Sequence, residues 1–143
     1  MEQNMNIPKS KFPRVVIIGG GFGGISLTKK LLKQEVQTVL IDKHNYHTFQ
    51  PLLYQVSTSG LEPDSIAYPL RKIIRASDRG YFRMAEVSSI DAEKKIIHSS
   101  IGDVSYDYLV IATGSRTNFF GNKSIEENSI WMKTVPQALN IRS

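Results

Sequence analysis

Six consecutive residues near the amino terminus have the composition of a phosphate-binding turn. They read GGGFGG and match the pattern G-x-G-x-x-G. In that pattern Gly19 permits a tight turn, Gly21 lets the backbone approach a pyrophosphate, and Gly24 lets the next helix pack closely on the strand. The pattern predicts a pyrophosphate-binding turn rather than the alternative, a tight turn without a ligand. Its members are Gly19, Gly20, Gly21, Phe22, Gly23 and Gly24.

An acidic residue lies at the spacing expected for contact with a ribose. Asp42 follows Gly24 by roughly 20 residues and ends the predicted strand QTVLID. A carboxylate at this position accepts hydrogen bonds from ribose hydroxyl groups. Because the residue is acidic rather than basic, the pattern argues against a 2′-phosphate on the nucleotide.

The residues around the glycines predict the elements that position the turn. Arg14–Ile18 (RVVII) is typical of a strand buried on both faces of a parallel sheet. The segment ISLTKKLLKQ predicts a helix with lysines on its exposed face. Its buried face is predicted to carry Ile25, Leu27, Leu31 and Leu32. Together with a second strand, Gln37–Asp42, these elements predict a βαβ unit with a right-handed crossover.

The downstream segments predict a short helix followed by strands. Pro69 is placed at the first position of a helix running to about Ala76, with Leu70, Ile73 and Ile74 buried. YFRMAEVSSID and KKIIHSS predict strands on either side of a tight AE turn, and VSYDYLVIATGS predicts a third strand. The three strands suggest a β-meander, and a last helix is expected after Pro136. The fold class expected is therefore α/β, a Rossmann-like domain with a parallel sheet and a β-meander.

Composition limits the classes of function. The 143 residues are enough for about one domain, and a content of 41% hydrophobic and 22% charged residues is typical of globular proteins. The net charge is +5, and the basic segment RKIIRASDRGYFR is either a solvated helix face or a patch for anionic lipid or a phosphate-rich ligand. No nucleic-acid recognition motif accompanies it, so no nucleic-acid partner is expected. No apolar run reaches the ~20 residues of a membrane-spanning helix, and the first residues lack the apolar core of a secretory signal.

The chain contains no cysteine. Disulfides, thiolate metal sites and thiol redox chemistry are therefore excluded within it. His44 and His47, with only Asp42 as a nearby carboxylate, are a poor ligand set, so no metal is predicted. No residue of this chain is predicted to be catalytic.

Two further motifs carry a family resemblance. Ala112-Thr113-Gly114 ends the strand DYLVI, and a Thr-Gly end lets the backbone run close to a ligand. Following a glycine-rich βαβ unit and a β-meander, it resembles the second fingerprint of the two-dinucleotide-binding flavoproteins related to glutathione reductase. Ala85-Glu86-Val87 resembles the segment of that family whose backbone lies by the adenine of the flavin cofactor. In that family the first G-x-G-x-x-G binds FAD.

The segment HNYHTFQPLLYQVSTSGL narrows the resemblance. In the disulfide-reductase branch the corresponding segment carries a redox cysteine pair, which is absent here. The segment closely resembles that of the type II NADH dehydrogenases, which are single-subunit enzymes that do not pump protons, and FQPLLYQV is its most specific part. The resemblance implies hydride transfer from NADH to non-covalent FAD, followed by electron transfer to a membrane quinone.

The resemblance also implies site residues. The glycine turn would hold the FAD pyrophosphate, Asp42 and Lys43 would meet the adenosine ribose, and Val87 would lie by the adenine. Ala112, Thr113 and Gly114 would close over the cofactor. Gln50, Pro51, Leu52 and Leu53 would lie near the isoalloxazine side, with plain core packing as the alternative for the two leucines.

The expected organisation is a tail at residues 1–13, the N-terminal part of a FAD-binding domain at 14–116, and a connection at 117–143 toward an NADH-binding domain. The resemblance implies that the chain is an N-terminal fragment and inactive alone. It places the whole protein peripherally on the cytoplasmic face of the inner membrane and leaves a homodimer open. The alternatives are a sulfide:quinone oxidoreductase, a ferredoxin-reductase-like flavoprotein, and a non-catalytic nucleotide-binding module.

Overall fold

The computed structural model describes residues 4–143. The strands are β1 Arg14–Ile18, β2 Gln37–Asp42, β3 Tyr46–Thr48, β4 Ala67–Pro69, β5 Gly80–Met84, β6 Val87–Asp91, β7 Ile96–Ser99, β8 Val104–Ser105 and β9 Tyr108–Ile111. The helices are α1 Phe22–Leu31, α2 Leu53–Ser57, α3 Leu70–Ile74, α4 Lys123–Asn128 and α5 Val135–Arg142, with 3₁₀ turns at Gln50–Leu52 and Pro63–Ser65. The chain forms two compact units. One contains the described residues through Tyr46 together with Pro69–Thr113, and the other contains His47–Tyr68 and Gly114–Ser143.

The first unit is built on a four-stranded parallel sheet. Its strand order is β5-β2-β1-β9, and β1 pairs with β2 on one side and with β9 on the other. Val16 and Ile17 of β1 are completely buried, as the apolar run predicted for a strand covered on both faces. Because the strands are parallel, their carboxyl ends lie at the same edge of the sheet. The chain continues from β1 to β2 on one side and β9 lies on the other side, so the strand order reverses at β1.

Two hydrophobic cores cover the two faces of this sheet. One core contains Ile17 and Leu40 of the sheet with residues of α1 and α3. Ile25 and Leu32 are buried there and Leu27 and Leu31 pack against it, as the helix pattern predicted. The apolar stripe predicted for the helix after Pro69 is also confirmed, because all three of its members are buried, although the helix begins at Leu70 and ends at Ile74.

The opposite face packs against an antiparallel meander of β6, β7 and β8 and against the residues before β1. Met5 and Ile7 are buried there with Val16, Ile97 and Val104. The backbone N–H of Met5 donates to the Asp103 carbonyl at 3.0 Å. Residues 4–8 are thus part of the packed structure.

The predicted strand boundaries in the second half of this unit were wrong. YFRMAEVSSID is divided into β5 of the parallel sheet and β6 of the meander, and VSYDYLVIATGS is divided into β8 and β9. The chain leaves the parallel sheet at Ala85, whose N–H donates to the Asp42 carbonyl, and returns at Asp107, whose N–H donates to the Arg14 carbonyl, each at 2.9 Å. Both sheets require extended backbone, so the residue pattern does not reveal where one ends and the other begins. The turn predicted around AE is present between β6 and β7.

The second unit contains α2, α4 and α5 and the two 3₁₀ turns. Leu53 and Val56 of α2 and Val135 and Ala138 of α5 are buried in it. The helix expected after Pro136 is α5, which starts at Val135, one residue before the proline, because Thr134 and Gln137 form a capping box at its beginning. Across residues 4–143, no helix has both the length and the apolar character needed to cross a membrane.

Candidate functional site

The predicted glycine turn lies at the carboxyl edge of the parallel sheet, between the ends of two neighbouring strands. The N–H of Gly19 donates to the Ile41 carbonyl at the end of β2, at 2.8 Å. The N–H of Ala112 donates to the Ile18 carbonyl at the end of β1, also at 2.8 Å. These two bonds extend the sheet by one residue beyond the strands. The turn therefore begins at the reversal of strand order, where open α/β sheets bind their ligands.

Three of the glycines lie in crowded surroundings. Gly19 has φ +108°, and a Cβ at this position would clash with the carbonyl of Ala112. A Cβ on Gly24 would overlap the carbonyl oxygen of Gly19, so only glycine lets α1 approach the end of β1 this closely. A Cβ on Gly20 would lie 2.7 Å from Cδ1 of Leu70, which is fully buried in α3. At Gly19 and Gly24 the backbone of the protein itself leaves no room for a Cβ, whereas at Gly20 the side chain of Leu70 would have to shift.

Gly21 and Gly23 lie in open surroundings. Apart from the chain neighbours of each glycine and, for Gly23, the backbone of α1 itself, no described atom comes within 4 Å of a Cβ built at either position. Gly21 is the N-cap of α1, and no described side chain caps this helix. The first amides of a helix have no intrahelical acceptor and form the positive end of its dipole. The open side of the turn therefore presents backbone donors to a space in which an anionic group fits.

Asp42 links the glycine turn to the end of β2. Its Oδ2 accepts a hydrogen bond from the N–H of Gly20 at 2.5 Å, and its Oδ1 accepts one from the N–H of His44 at 2.7 Å. An ionised carboxylate has about four lone-pair sites, so two hydrogen bonds leave acceptor capacity for ribose hydroxyl groups. The spacing of Asp42 predicted an acid at this place but not its bond to the turn.

The other predicted site residues of the first unit lie around these elements. Lys43 follows Asp42 and is exposed, whereas Val87 is half-buried at the start of β6 and packs on the meander core. Ala112 is half-buried and Thr113 is exposed after the end of β9. The structure thus brings residues from the ends of β1, β2 and β9 to one edge of the sheet.

Five predicted site residues belong to the second unit. Gln50, Pro51 and Leu52 form a 3₁₀ turn, in which the first two are exposed and the leucine is half-buried. Leu53 is 1% exposed in the core of that unit, so its side chain packs there. Gly114 has φ +73°, a left-handed conformation that favours glycine.

Two residues that support the site were not identified from the sequence. The methyl groups of Leu70 occupy the space beside Gly20 where a Cβ would lie. Inside α1, the buried hydroxyl of Thr28 donates a hydrogen bond to the Gly24 carbonyl at 2.7 Å. Both look like ordinary helix residues in the sequence, and only the packing shows their contact with the turn. Within residues 4–143, no group of three His, Cys, Asp or Glu side chains is placed to hold a metal ion.

Comparison with known proteins identifies similar oxidoreductases. The type II NADH:quinone oxidoreductase NdhA of Mycobacterium tuberculosis is 39% identical over 133 residues, which cover 90% of this chain and 28% of that protein. NDH2 of Plasmodium falciparum, solved in complex with NADH, is 28% identical with a TM-score of 0.78, over 92% of this chain and 28% of that structure. The sulfide:quinone oxidoreductase of Aquifex aeolicus is 31% identical with a TM-score of 0.77, over 91% of this chain and 30% of that structure.

The chain spans about 28% of the length of the first of these relatives. The profile of the pyridine nucleotide-disulphide oxidoreductase family matches residues 13–143, which include every element from β1 to α5. With this match over nearly the whole sequence, the chain belongs to the pyridine nucleotide-disulphide oxidoreductase family.

Proposed function

We propose that this chain is the FAD-binding part of an NADH:quinone oxidoreductase. The observation that carries the proposal is the open side of the glycine turn. Gly21 and Gly23 leave space at the beginning of α1, at the point where the strand order of the parallel sheet reverses. A buried cavity without donors would favour an apolar ligand, whereas a helix amino end favours the diphosphate of a dinucleotide.

In this proposal the glycine turn and Asp42 have roles that follow from their hydrogen-bonding groups, and Ala112, Thr113 and Val87 have the roles that the family resemblance implies. The glycine turn and the first amides of α1 would hold the diphosphate. Asp42 would accept hydrogen bonds from the adenosine ribose while its bond to Gly20 keeps the turn in place. Ala112 and Thr113 would pass close to the cofactor, and Val87 would lie by the adenine. FAD, when bound, supplies the hydride-accepting and electron-donating chemistry.

For the residues of the second unit, the proposal keeps the roles that the family resemblance implies. Gln50, Pro51 and Leu52 would lie near the isoalloxazine side. Gly114 would, like Thr113, bring its backbone close to the cofactor. Leu53 would support this segment from within the core, because its side chain is buried. Lys43, exposed beside Asp42, would add a positive charge near the ribose.

The absence of cysteine supports direct electron transfer to a second substrate. A dithiol relay requires thiolates, and this chain has no cysteine to supply them. The relatives that are NADH:quinone oxidoreductases support NADH as the donor and a quinone as the acceptor. We propose that the whole protein works without proton pumping and that this chain by itself is inactive.

A quinone dissolved in a bilayer must be reached at the membrane surface. We therefore propose that the whole protein is peripheral at a membrane surface. From the family resemblance we further propose that this surface is the cytoplasmic face of the inner membrane and that the protein forms a homodimer. Co-sedimentation with vesicles of bacterial lipid and sedimentation velocity in detergent-free buffer test these two statements. A protein that stays in the supernatant, or that sediments as a monomer at micromolar concentration, would contradict them.

A second candidate is a sulfide:quinone oxidoreductase. Its support is the likeness to the Aquifex aeolicus enzyme, at 31% identity and a TM-score of 0.77. Quinone reduction measured separately with NADH and with sulfide distinguishes the two candidates. Activity with sulfide and none with NADH would replace the first candidate by the second.

The experiment that tests the proposal uses the whole protein, saturated with FAD and freed of unbound cofactor. We expect a stoichiometric flavin spectrum that bleaches on anaerobic addition of NADH and returns on addition of a quinone. Protein that retains no flavin would refute the FAD site. Protein that retains flavin without bleaching would preserve the FAD site and refute NADH as the donor.

A further inference from the structure

A cleft lies at the opposite edge of the parallel sheet from the glycine turn. Its floor contains Arg14 and Gln37, the first residues of β1 and β2, and Asp107, which directly precedes β9. The five residues of β1 separate the cleft from the glycine turn by roughly 15 Å. All of its lining residues belong to the first unit, and its volume is about 410 Å³.

We propose that this cleft binds a small organic anion carrying at least two negative charges, either a polycarboxylate or a sugar phosphate. The proposal does not depend on the proposed oxidoreductase function, because the cleft and the glycine turn share no residue.

The cleft carries an excess of positive charge. Asp107 is its one carboxylate, and its cationic lining residues are Lys9, Arg14, Lys94 and Lys95. Among residues 4–143, neither Lys9 nor Lys95 has an acidic partner within 4 Å. Lys94 lies 3.5 Å from Asp91, but its side chain is 75% exposed, and such surface pairs contribute little. Two ammonium groups are therefore available to an incoming anion.

The guanidinium of Arg14 is held in place by neutral hydrogen-bond acceptors rather than by a carboxylate. Its guanidinium donates to Oε1 of Gln37 at 2.6 Å, to the carbonyl and hydroxyl of Ser105 at 3.2 and 3.1 Å, and to the Pro8 carbonyl at 3.0 Å. All of these acceptors are neutral, and Asp107 instead accepts the backbone N–H of Arg14 at 2.6 Å. Burial lowers the pKa of Arg14, and the nearby Asp107 opposes that change only in part. The guanidinium of Arg14 thus has only neutral hydrogen-bond acceptors and one nearby carboxylate, Asp107, so a bound anion would add a second counter-charge.

The walls of the cleft are held by hydrogen bonds before any ligand binds. The N–H of Lys94 donates to Oδ1 of Asp91 at 2.9 Å, and the N–H of Tyr106 donates to the Lys95 carbonyl at 3.0 Å. Lys95 adopts φ 53° in this turn, which fixes the direction of its backbone. On the other wall, the N–H of Phe12 donates to the hydroxyl of Ser10 at 3.0 Å. A site formed in advance loses less entropy on binding than one that must be ordered by its ligand.

The size of the cleft favours a ligand larger than a single inorganic ion. Sites for small molecules usually measure about 300–1,000 Å³, and this cleft lies in the lower part of that range. A phosphate ion presents one compact charge, whereas a polycarboxylate or a sugar phosphate presents several polar groups to the lining cations Lys9, Arg14, Lys94 and Lys95. Several charged groups on one body are therefore favoured over one compact charge.

Calorimetric titration of the whole protein tests the proposal, with citrate, glucose 6-phosphate and inorganic phosphate as probes. Sodium chloride keeps the ionic strength equal in all titrations, because general charge screening would otherwise imitate binding. We expect citrate or glucose 6-phosphate to bind more tightly than inorganic phosphate, and the stronger of the two identifies the ligand class.

The double variant Lys9→Gln/Lys95→Gln should weaken that binding roughly tenfold or more, which is the scale of losing charge-assisted contacts. The matched control is Lys29→Gln/Lys30→Gln, which removes the same charge from the exposed face of α1 and should leave the affinity unchanged. The proposal is overturned if no organic probe binds more tightly than inorganic phosphate. It is also overturned if the control weakens binding as much as the double variant does.

Discussion

The glycines of the turn between β1 and α1 differ in what surrounds them. On the crowded side, Gly19, Gly20 and Gly24 face atoms of the protein that a Cβ would strike. On the open side, Gly21 and Gly23 have no described atom within 4 Å of a built Cβ apart from their chain neighbours and the backbone of α1. Within six positions, glycine therefore serves two different purposes: close packing on one side of the turn and open space for a ligand on the other. Substitutions on the crowded side should act on stability, and substitutions on the open side should act on ligand binding.

The largest loss of stability is expected for Gly24→Ala. The new Cβ would overlap the Gly19 carbonyl oxygen, and backbone atoms on both sides would have to move apart. We expect a loss of about 4 kcal/mol or more in the free energy of unfolding, which is the range of severe core disruptions. Urea unfolding followed by circular dichroism measures it. The exposed Ser26→Ala in the same helix is the control and should change stability little. A Gly24→Ala protein as stable as the wild type would show that the close approach of α1 and β1 is not required.

A smaller loss is expected for Gly20→Ala. Its Cβ would lie 2.7 and 3.0 Å from the two methyl groups of Leu70, which are the end of a side chain that can shift. Overpacking of this kind costs about 1–3 kcal/mol. Adding Leu70→Val should recover part of the loss, because it removes the atoms that the new methyl group strikes. If the two substitutions together cost as much as the sum of their separate effects, Leu70 is not the residue that restricts Gly20.

Asp42→Asn tests whether one residue serves both stability and ligand binding, because Asp42 holds the turn at Gly20 and is proposed to contact the ribose. Asparagine keeps the shape of aspartate but replaces one of the oxygens that accept from Gly20 and His44 by an N–H₂ donor. We expect a loss of about 1–3 kcal/mol in the free energy of unfolding, together with weaker FAD binding. Asp64→Asn changes an exposed carboxylate in the same way and should affect neither. If the variant binds FAD more weakly with unchanged stability, Asp42 contacts the ligand but does not hold the turn.

The sequence predicted the local structure of the turn better than the long-range contacts that enclose it. The spacing of Gly19, Gly21 and Gly24 predicted the turn, because a turn is a local structure whose dihedral angles depend on a few adjacent residues. It did not predict that Gly20 is enclosed by Leu70, since these residues are far apart in the chain and meet only when α3 packs on the sheet. The strands β1 and β2 were predicted with their observed bounds for the same local reason.

The division between sheets was harder to predict. Residues 85–86 separate β5 from β6, and nothing in their types interrupts the extended pattern. Which sheet each strand joins depends on pairing with distant partners, such as β2 for β5. Similarly, the buried positions of Met5 and Ile7 follow from the meander and the sheet between which they pack. Their apolar character alone did not distinguish them from a tail.

Gly21→Val is the most direct test of the difference between the two sides. Gly21 has φ −75°, which valine can adopt, and apart from its chain neighbours no described atom lies within 4 Å of a Cβ built there. We predict an unfolding midpoint equal to that of the wild type and a loss of FAD affinity of roughly 100-fold or more, about 3 kcal/mol. Gly60→Val, at another exposed glycine with only ordinary contacts, should keep both properties. A folded Gly21→Val protein that binds FAD as tightly as the wild type would contradict the account.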